Sequence, residues 1–170
     1  MEQRLVQLTG TDDCLLQVQI DIHAPIERVW QSISDARHVG EWWAAGHIGR
    51  QPGEPVTLGE NKEINGSIVT FLPPFVFAFT WHDDPEHAVR SEWLHHPTSS
   101  LVHYNLVVLS DTQTRLILQQ YTPQEVAAGA AAGWHHLMER LAQYVENGTI
   151  DEDPGRFETL KQLYQDPSQG

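Results

Sequence analysis

The sequence predicts an α+β domain in which a curved antiparallel sheet wraps its apolar face around one long C-terminal helix. Three observations carry that prediction. From Tyr121 to Gly148 the chain reads as a single helix with both ends marked. Near the start, a run of period-two alternation passes directly into helical spacing at Pro25. Between these regions lie several β-like runs divided by glycine, proline and asparagine turns, the order expected when strands form one layer and pack on a helix.

Leu16, Val18, Ile20 and Ile22 alternate with Gln17, Gln19, Asp21 and His23, the pattern of a strand with one buried face. Pro25 ends that strand and opens a helix, because Ile26, Val29, Trp30 and Ile33 follow at helical spacing. Asp35 starts a second short helical piece reaching Trp42-Trp43. Adjacent residues on a helix diverge by about 100°, so one of these two rings is expected in the core and the other over a cavity or a partner. After Gly46 the texture changes to short β-like runs punctuated by Gly49, Pro52-Gly53, Pro55, Gly59 and Asn65-Gly66. Residues 67–71 and 76–81 flank Leu72-Pro73-Pro74-Phe75 as a hairpin, since two prolines forbid both helix and continued ladder. Two more strands are expected over 101–109 and 114–121, joined by Ser110-Asp111-Thr112-Gln113.

The final helix has its start in Thr122-Pro123-Gln124-Glu125, where Thr122 and Glu125 have capping-box spacing and Pro123 suits the first helical position. Asn147-Gly148 supplies the stop. Val126, Ala130, Trp134, Leu137, Leu141 and Val145 recur at spacings of three and four on one face of a helix about 37 Å long. The first half of the helix is made of alanine and glycine, from Ala127 to Gly133. Gly129 and Gly133 each cost about 1 kcal/mol relative to alanine, so close approach of a backbone or a bound molecule is expected there.

Beyond Gly148, Asp151-Glu152-Asp153-Pro154 precedes Phe157, Leu160, Leu163 and Tyr164 at helical spacing. Residues 1–148 are read as one domain and 149–170 as an extension whose short helix docks on it, or on a dimer partner. Ten Lys+Arg against 23 Asp+Glu give a net charge of −13, which repels phosphate backbones and anionic membranes overall. No nucleic acid and no membrane are therefore expected as partners. The start lacks a basic region followed by an apolar core, and no run of about 18 apolar residues occurs, so a soluble cytoplasmic protein is expected. The single cysteine, Cys14, follows Asp12-Asp13 and reads as structural.

His23-Ala24-Pro25-Ile26-Glu27-Arg28-Val29-Trp30, Trp42-Trp43, Pro73-Pro74 leading to Phe79-Thr80-Trp81, Thr114-Arg115-Leu116, and Gly133-Trp134 with Leu137 and Leu141 occur in that order. In order and spacing the chain resembles the helix-grip fold of the START-like (SRPBCC) superfamily. Within it, the chain is similar to the branch of activator of Hsp90 ATPase homologue 1-like proteins, over roughly residues 15 to 147. The resemblance implies a deep cavity between the long helix and the sheet, used in the superfamily for apolar small molecules. Relatives often carry a histidine near the position of Gln120, which here can only donate and accept hydrogen bonds. The stretch from His82 to Pro97 is longer than the family's usual connection and is expected near the cavity mouth.

The expected function is non-covalent binding of an apolar or aromatic small molecule, without cofactor or metal. Gly129, Ala130, Gly133 and Leu137 would shape one wall, Phe77, Phe79, Trp81 and Tyr104 the other, and Gln120 would orient a polar group. A competing class is a chaperone-linked, stress-response interaction protein using Trp42, Trp43 and the acidic surface. A third is a cyclase-like or dehydratase-like enzyme, in which His82, Glu92 or His103 would have to converge as acid and base. The binding reading is favoured over the enzyme, and no catalytic residue is assigned. Glu92 with His95 or His96, and the pair His135-His136, have only a weak likeness to zinc-ligand spacing. Ser91, Ser99 and Ser100 lack a nucleophile elbow.

Overall fold

The computed structural model describes residues 1–7, 13–81 and 101–165. The expectations for His82, Ser91, Glu92, His95, His96, Ser99, Ser100 and the 82–97 connection lie outside the described residues. In chain order the elements are β1 (Glu2–Gln7), β2 (Asp13–Ile22), α1 (Ile26–Ser34), α2 (Ala36–Trp42), β3 (Gly46–Ile48) and β4 (Pro55–Leu58). They continue with β5 (Ile64–Leu72), β6 (Val76–Thr80), β7 (Leu101–Ser110), β8 (Gln113–Pro123), α3 (Ala127–Asn147) and α4 (Arg156–Gln165). The sheet runs β1-β2-β8-β7-β6-β5-β4-β3, and every neighbouring pair is antiparallel.

Period-two patterning decides which face of this sheet is buried. Leu16, Val18, Ile20 and Ile22 of β2 share the inner face with Thr114, Leu116 and Leu118 of β8, Val102, Tyr104 and Leu106 of β7, and Phe77 and Phe79 of β6. α3 lies against this face over β1, β2 and β8, with α1 and α2 beside it and α4 on its other side. The result is the helix-grip architecture. No helix among the described residues is long and apolar enough to cross a membrane.

α1 buries Ile26, Val29, Trp30 and Ile33, the expected stripe. α2 is capped by Asp35, whose carboxylate accepts from Arg37 N–H at 3.0 Å. Trp42 is the core member of the tryptophan pair, with its indole N–H donating to Ser32 O at 2.8 Å, while Trp43 is half-buried. Gly148 ends α3 in the left-handed conformation at φ 77°, and its N–H donates to Tyr144 O. Arg28 of α1 donates to Val145 O at 2.7 Å, placing a cation on the carbonyl-rich end of α3.

Several expectations are corrected. β1 was not expected, yet it pairs with β2 from Glu2↔Gln19 to Gln7↔Cys14. β8 continues through Thr122 and Pro123, which pair with Cys14 and Asp13. Thr122 is therefore held in the ladder and the capping box does not form: a 3-10 turn over Gln124–Val126 leads into α3 without a side-chain cap. At 21 residues α3 is about 32 Å long rather than 37 Å. Its buried residues are Ala127, Ala131, Trp134, Met138, Leu141 and Val145, a stripe turned slightly from the expected one, with Ala132 buried as well. Asn65-Gly66 lies inside β5 rather than in a turn, and Gly66 is glycine for a steric reason: a Cβ there would fall 1.7 Å from Thr80 O.

The tail forms α4 against α3, but only one of its expected apolar contacts is made in full. Leu160 is 1% exposed, whereas Phe157 and Leu163 are 37% and 40% exposed. Polar contacts supply the rest. Tyr164 donates to Gln3 Oε1 at 2.5 Å and lies 2.7 Å from His135 Nδ1, while Arg156 forms a bidentate pair with Glu139. Arg140 links Trp42 O to Glu152, closing the connection between α3 and α4.

Candidate functional site

Strand register brings the aromatic residues together. Phe77 of β6 stands opposite Tyr104 of β7, and their rings lie parallel within 8° at 6.2 Å. Phe79, one inward position along, sits 5.4 Å from Phe77 and 6.4 Å from Tyr104. Over β1, Gln3 Nε2 donates to Ala131 O at 2.9 Å, and this half of α3 buries Ala127, Ala131 and Ala132. Over β6 and β7 the same layer holds the rings of Phe77, Phe79, Tyr104 and Trp134.

Trp134 reaches from α3 into that aromatic layer. It meets Tyr104 edge-on at 6.2 Å, Trp81 edge-on at 5.9 Å and Trp43 at 5.2 Å. At the other end, Trp30 and Phe71 stand edge-on to Phe77 at 6.3 and 5.8 Å. The rings thus form one unbroken path from Trp42 through Trp43, Trp134, Tyr104 and Phe77 to Trp30. Edge and offset contacts of this kind contribute about 0.5–1.5 kcal/mol each beyond area burial.

Two polar groups stand in the apolar layer. Gln120 Oε1 accepts from the Trp134 indole N–H at 2.6 Å, so its oxygen positions a tryptophan instead of being free for a ligand. The Tyr104 hydroxyl is the more informative group: it is fully buried and has no hydrogen-bond partner among the described residues. Burial pushes the phenol far above its usual range, so Tyr104 stays neutral and remains a donor across the physiological range. An unpaired buried hydroxyl costs about 1–3 kcal/mol.

The other expected wall residues are placed differently. Ala130 and Leu137 are half-buried against the core, and Gly133 shares their flank of α3, about 100° around the helix from Trp134. Gly129 is exposed. Among the described residues nothing lies within 4 Å of a Cβ built on Gly129 or Gly133, so neither glycine is explained by close packing. Phe77, Phe79, Trp81, Tyr104 and Gln120 are therefore brought together, with Ala130, Gly133 and Leu137 beside them and Gly129 apart.

His103 lies on the opposite face of β7 from Tyr104, with Nδ1 2.8 Å from Asn105 Nδ2, and burial lowers its pKa. It does not converge on the aromatic layer. His135 points toward α4, and the His136 ring lies 6.4 Å from Phe157. Trp43, the ring expected over a cavity or a partner, and Trp134, expected only on the apolar stripe of the long helix, both join this group of rings. The signal lies in the six tryptophans, of which Trp30, Trp42, Trp43, Trp81 and Trp134 meet in this network of rings.

Solved structures support the same architecture. CalU16 from Micromonospora echinospora superposes with a TM-score of 0.73 at 19% identity, covering 96% of this chain and 92% of that one. A conserved protein of unknown function from Enterococcus faecalis gives a TM-score of 0.73 at 15% identity, covering 96% and 88%. The Aha1 dimer from Colwellia psychrerythraea gives 0.62 at 14% identity, covering 79% and 97%. At such identities these likenesses show the fold alone. No curated protein matches the chain in sequence. The family model for activator of Hsp90 ATPase homolog 1-like protein matches residues 23–146, most of the grip, and the chain belongs to that family.

Proposed function

We propose that the layer between α3 and the sheet binds an apolar, aromatic small molecule non-covalently, with Phe77, Phe79, Trp81 and Tyr104 on one side and Ala130, Gly133 and Leu137 on the other. The observation that carries this reading is the Tyr104 hydroxyl, buried among rings without a partner among the described residues. A ligand bearing a hydrogen-bond acceptor would satisfy it, and the open space at Gly133 gives such a molecule a flank of α3 to lie against. Gln120 contributes by fixing the Trp134 ring. Gly129, exposed on α3, is left out of the proposed wall.

The test uses two probes of equal size, acetylnaphthalene with a carbonyl acceptor and ethylnaphthalene without one. Tyr104→Phe should weaken the first about fivefold and leave the second unchanged. Gly133→Leu should abolish binding of both while the protein stays folded. Unchanged affinity in folded Gly133→Leu protein would overturn the reading.

A second reading, protein interaction of the chaperone-linked kind that the family description names, is favoured by a different observation. Leu72 and Phe75 at the β5–β6 turn and Val107, Val108 and Leu109 at the end of β7 are exposed, and the Leu106 N–H to Phe75 O bond of 2.8 Å holds these segments at one end of the sheet. Stimulation of a purified Hsp90 ATPase, lost in Phe75→Ser but kept in Gly133→Leu, separates this reading from the first.

A further inference from the structure

A recess of about 410 Å³ opens on the surface away from Trp134 and Trp81, lined by Trp30, Gln31 and Ser34 of α1, Asp35, Arg37 and His38 at the start of α2, Arg50, and Phe71 of β5. None of these residues belongs to the proposed ligand walls. The aromatic part is the Trp30–Phe71 pair, set edge-on at 5.2 Å, with Trp30 buried and Phe71 half-buried. Their apolar edges offer a flat molecule a contact that water does not satisfy.

Charge along the lining of the recess is unbalanced. Asp35 is hydrogen-bonded chiefly to Arg37: its Oδ1 accepts from Arg37 N–H and Nε–H at 3.0 and 3.2 Å, and its Oδ2 from Nη2 at 3.1 Å. That pairing holds the Asp35 carboxyl below the usual carboxylate range. Arg50 Nη2 only approaches the same carboxylate, at 3.8 Å, and the Arg50 side chain is 78% exposed. Among the residues that line the recess, two guanidinium groups therefore face one carboxylate, while Glu54, outside the lining, accepts from the Arg50 backbone N–H at 2.6 Å. His38 stands beside them with Nδ1 2.7 Å from the Tyr144 hydroxyl.

We propose that this recess is a separate small-molecule site, taking a flat aromatic monocarboxylate whose ring lies on Trp30 and Phe71 and whose carboxylate pairs with Arg50. A volume of about 410 Å³ is at the lower end of ordinary ligand sites and suits one or two fused rings. The Arg50 guanidinium matches one negative charge, and its planar fork matches a carboxylate bidentately. A doubly charged phosphate would leave one charge unmatched.

Naphthoate is the probe, and hydroxymethylnaphthalene is its uncharged counterpart. Calorimetric titration of the full chain should show saturable naphthoate binding that weakens several-fold when salt is raised from about 0.05 to 0.5 M. Arg50→Gln should weaken naphthoate about five- to tenfold without changing the affinity of the neutral counterpart, and Arg50→Lys should restore part of the loss. Gly133→Leu should leave naphthoate binding intact, which separates this site from the layer beneath α3. Loss of naphthoate binding in Gly133→Leu, or equal affinity in folded Arg50→Gln and wild-type protein, would overturn the proposal. Absence of saturable binding to the wild-type chain would overturn it as well.

Discussion

At the scale of the residue, Tyr104 carries the most information, because its stability effect and its binding effect run in opposite directions. Its hydroxyl is buried without a partner among the described residues, so Tyr104→Phe removes an unsatisfied donor and keeps the ring in its stack on Phe77. We expect the phenylalanine variant to be more stable than wild type by about 1 kcal/mol in urea unfolding, with an unchanged dependence on denaturant. A loss of stability would mean that the hydroxyl has a partner in solution and would remove the main support for the ligand reading. The neighbouring Gln120 behaves oppositely: its oxygen is engaged by Trp134, so changing it disturbs a wall instead of relieving a strain. Two polar groups in one apolar layer thus have different duties, one structural and one available.

At the scale of the element, α4 is held by a polar cluster whose strength depends on pH. His135 faces Tyr164 and Arg156 of α4, Glu139 of its own helix and, through Tyr164, Gln3 of β1. Burial lowers the His135 pKa from its ordinary 6.5 despite the opposing pull of Glu139, and the Arg156 hydrogen bonds lower that of Glu139 from 4.5. Both groups favour the folded state when deprotonated. The docking free energy is therefore fully present above about pH 6.5, declines as the unfolded imidazole protonates, and declines further below about 4.5. Amide exchange over 156–165 should accelerate on lowering pH from about 7.5 to 5.5 beyond the intrinsic pH effect, and His135→Gln should flatten that response. Equal protection at both pH values would refute it.

The elements that were legible in the sequence are those whose own pattern agrees with their surroundings: β2, α1, the β5–β6 hairpin, β7 and the stop of α3 at Gly148. β1 was not, since it lies at the sheet edge and its pairing with β2, not its own alternation, makes it a strand. The start of α3 was misplaced because the ladder from β8 to β2 claims Thr122 before a helix cap can. That Phe77, Phe79 and Tyr104 share one buried face was legible from alternation along β6 and β7. The recess was not, because it joins residues 30–38, 50 and 71, which no local pattern relates.

At the scale of the whole molecule, the unbroken run of rings has an optical consequence. Trp42, Trp43, Trp81 and Trp134 stand at centroid separations of 5.2 to 5.9 Å along the contacts that link them. Indoles this close do not absorb independently: their transition dipoles couple, and the coupled states split into circular-dichroism bands of opposite sign in the far ultraviolet. Those bands overlap the backbone signal, so helix content read from that spectrum alone will be wrong for this protein. Trp43→Phe should remove most of the indole contribution while leaving the amide exchange pattern of α3 unchanged. A spectrum identical to wild type would show that the rings do not hold this arrangement in solution. The same coupling makes the chain its own reporter, because a molecule that parts Trp43 from Trp134 must change the couplet, and no dye or label is needed to see it enter.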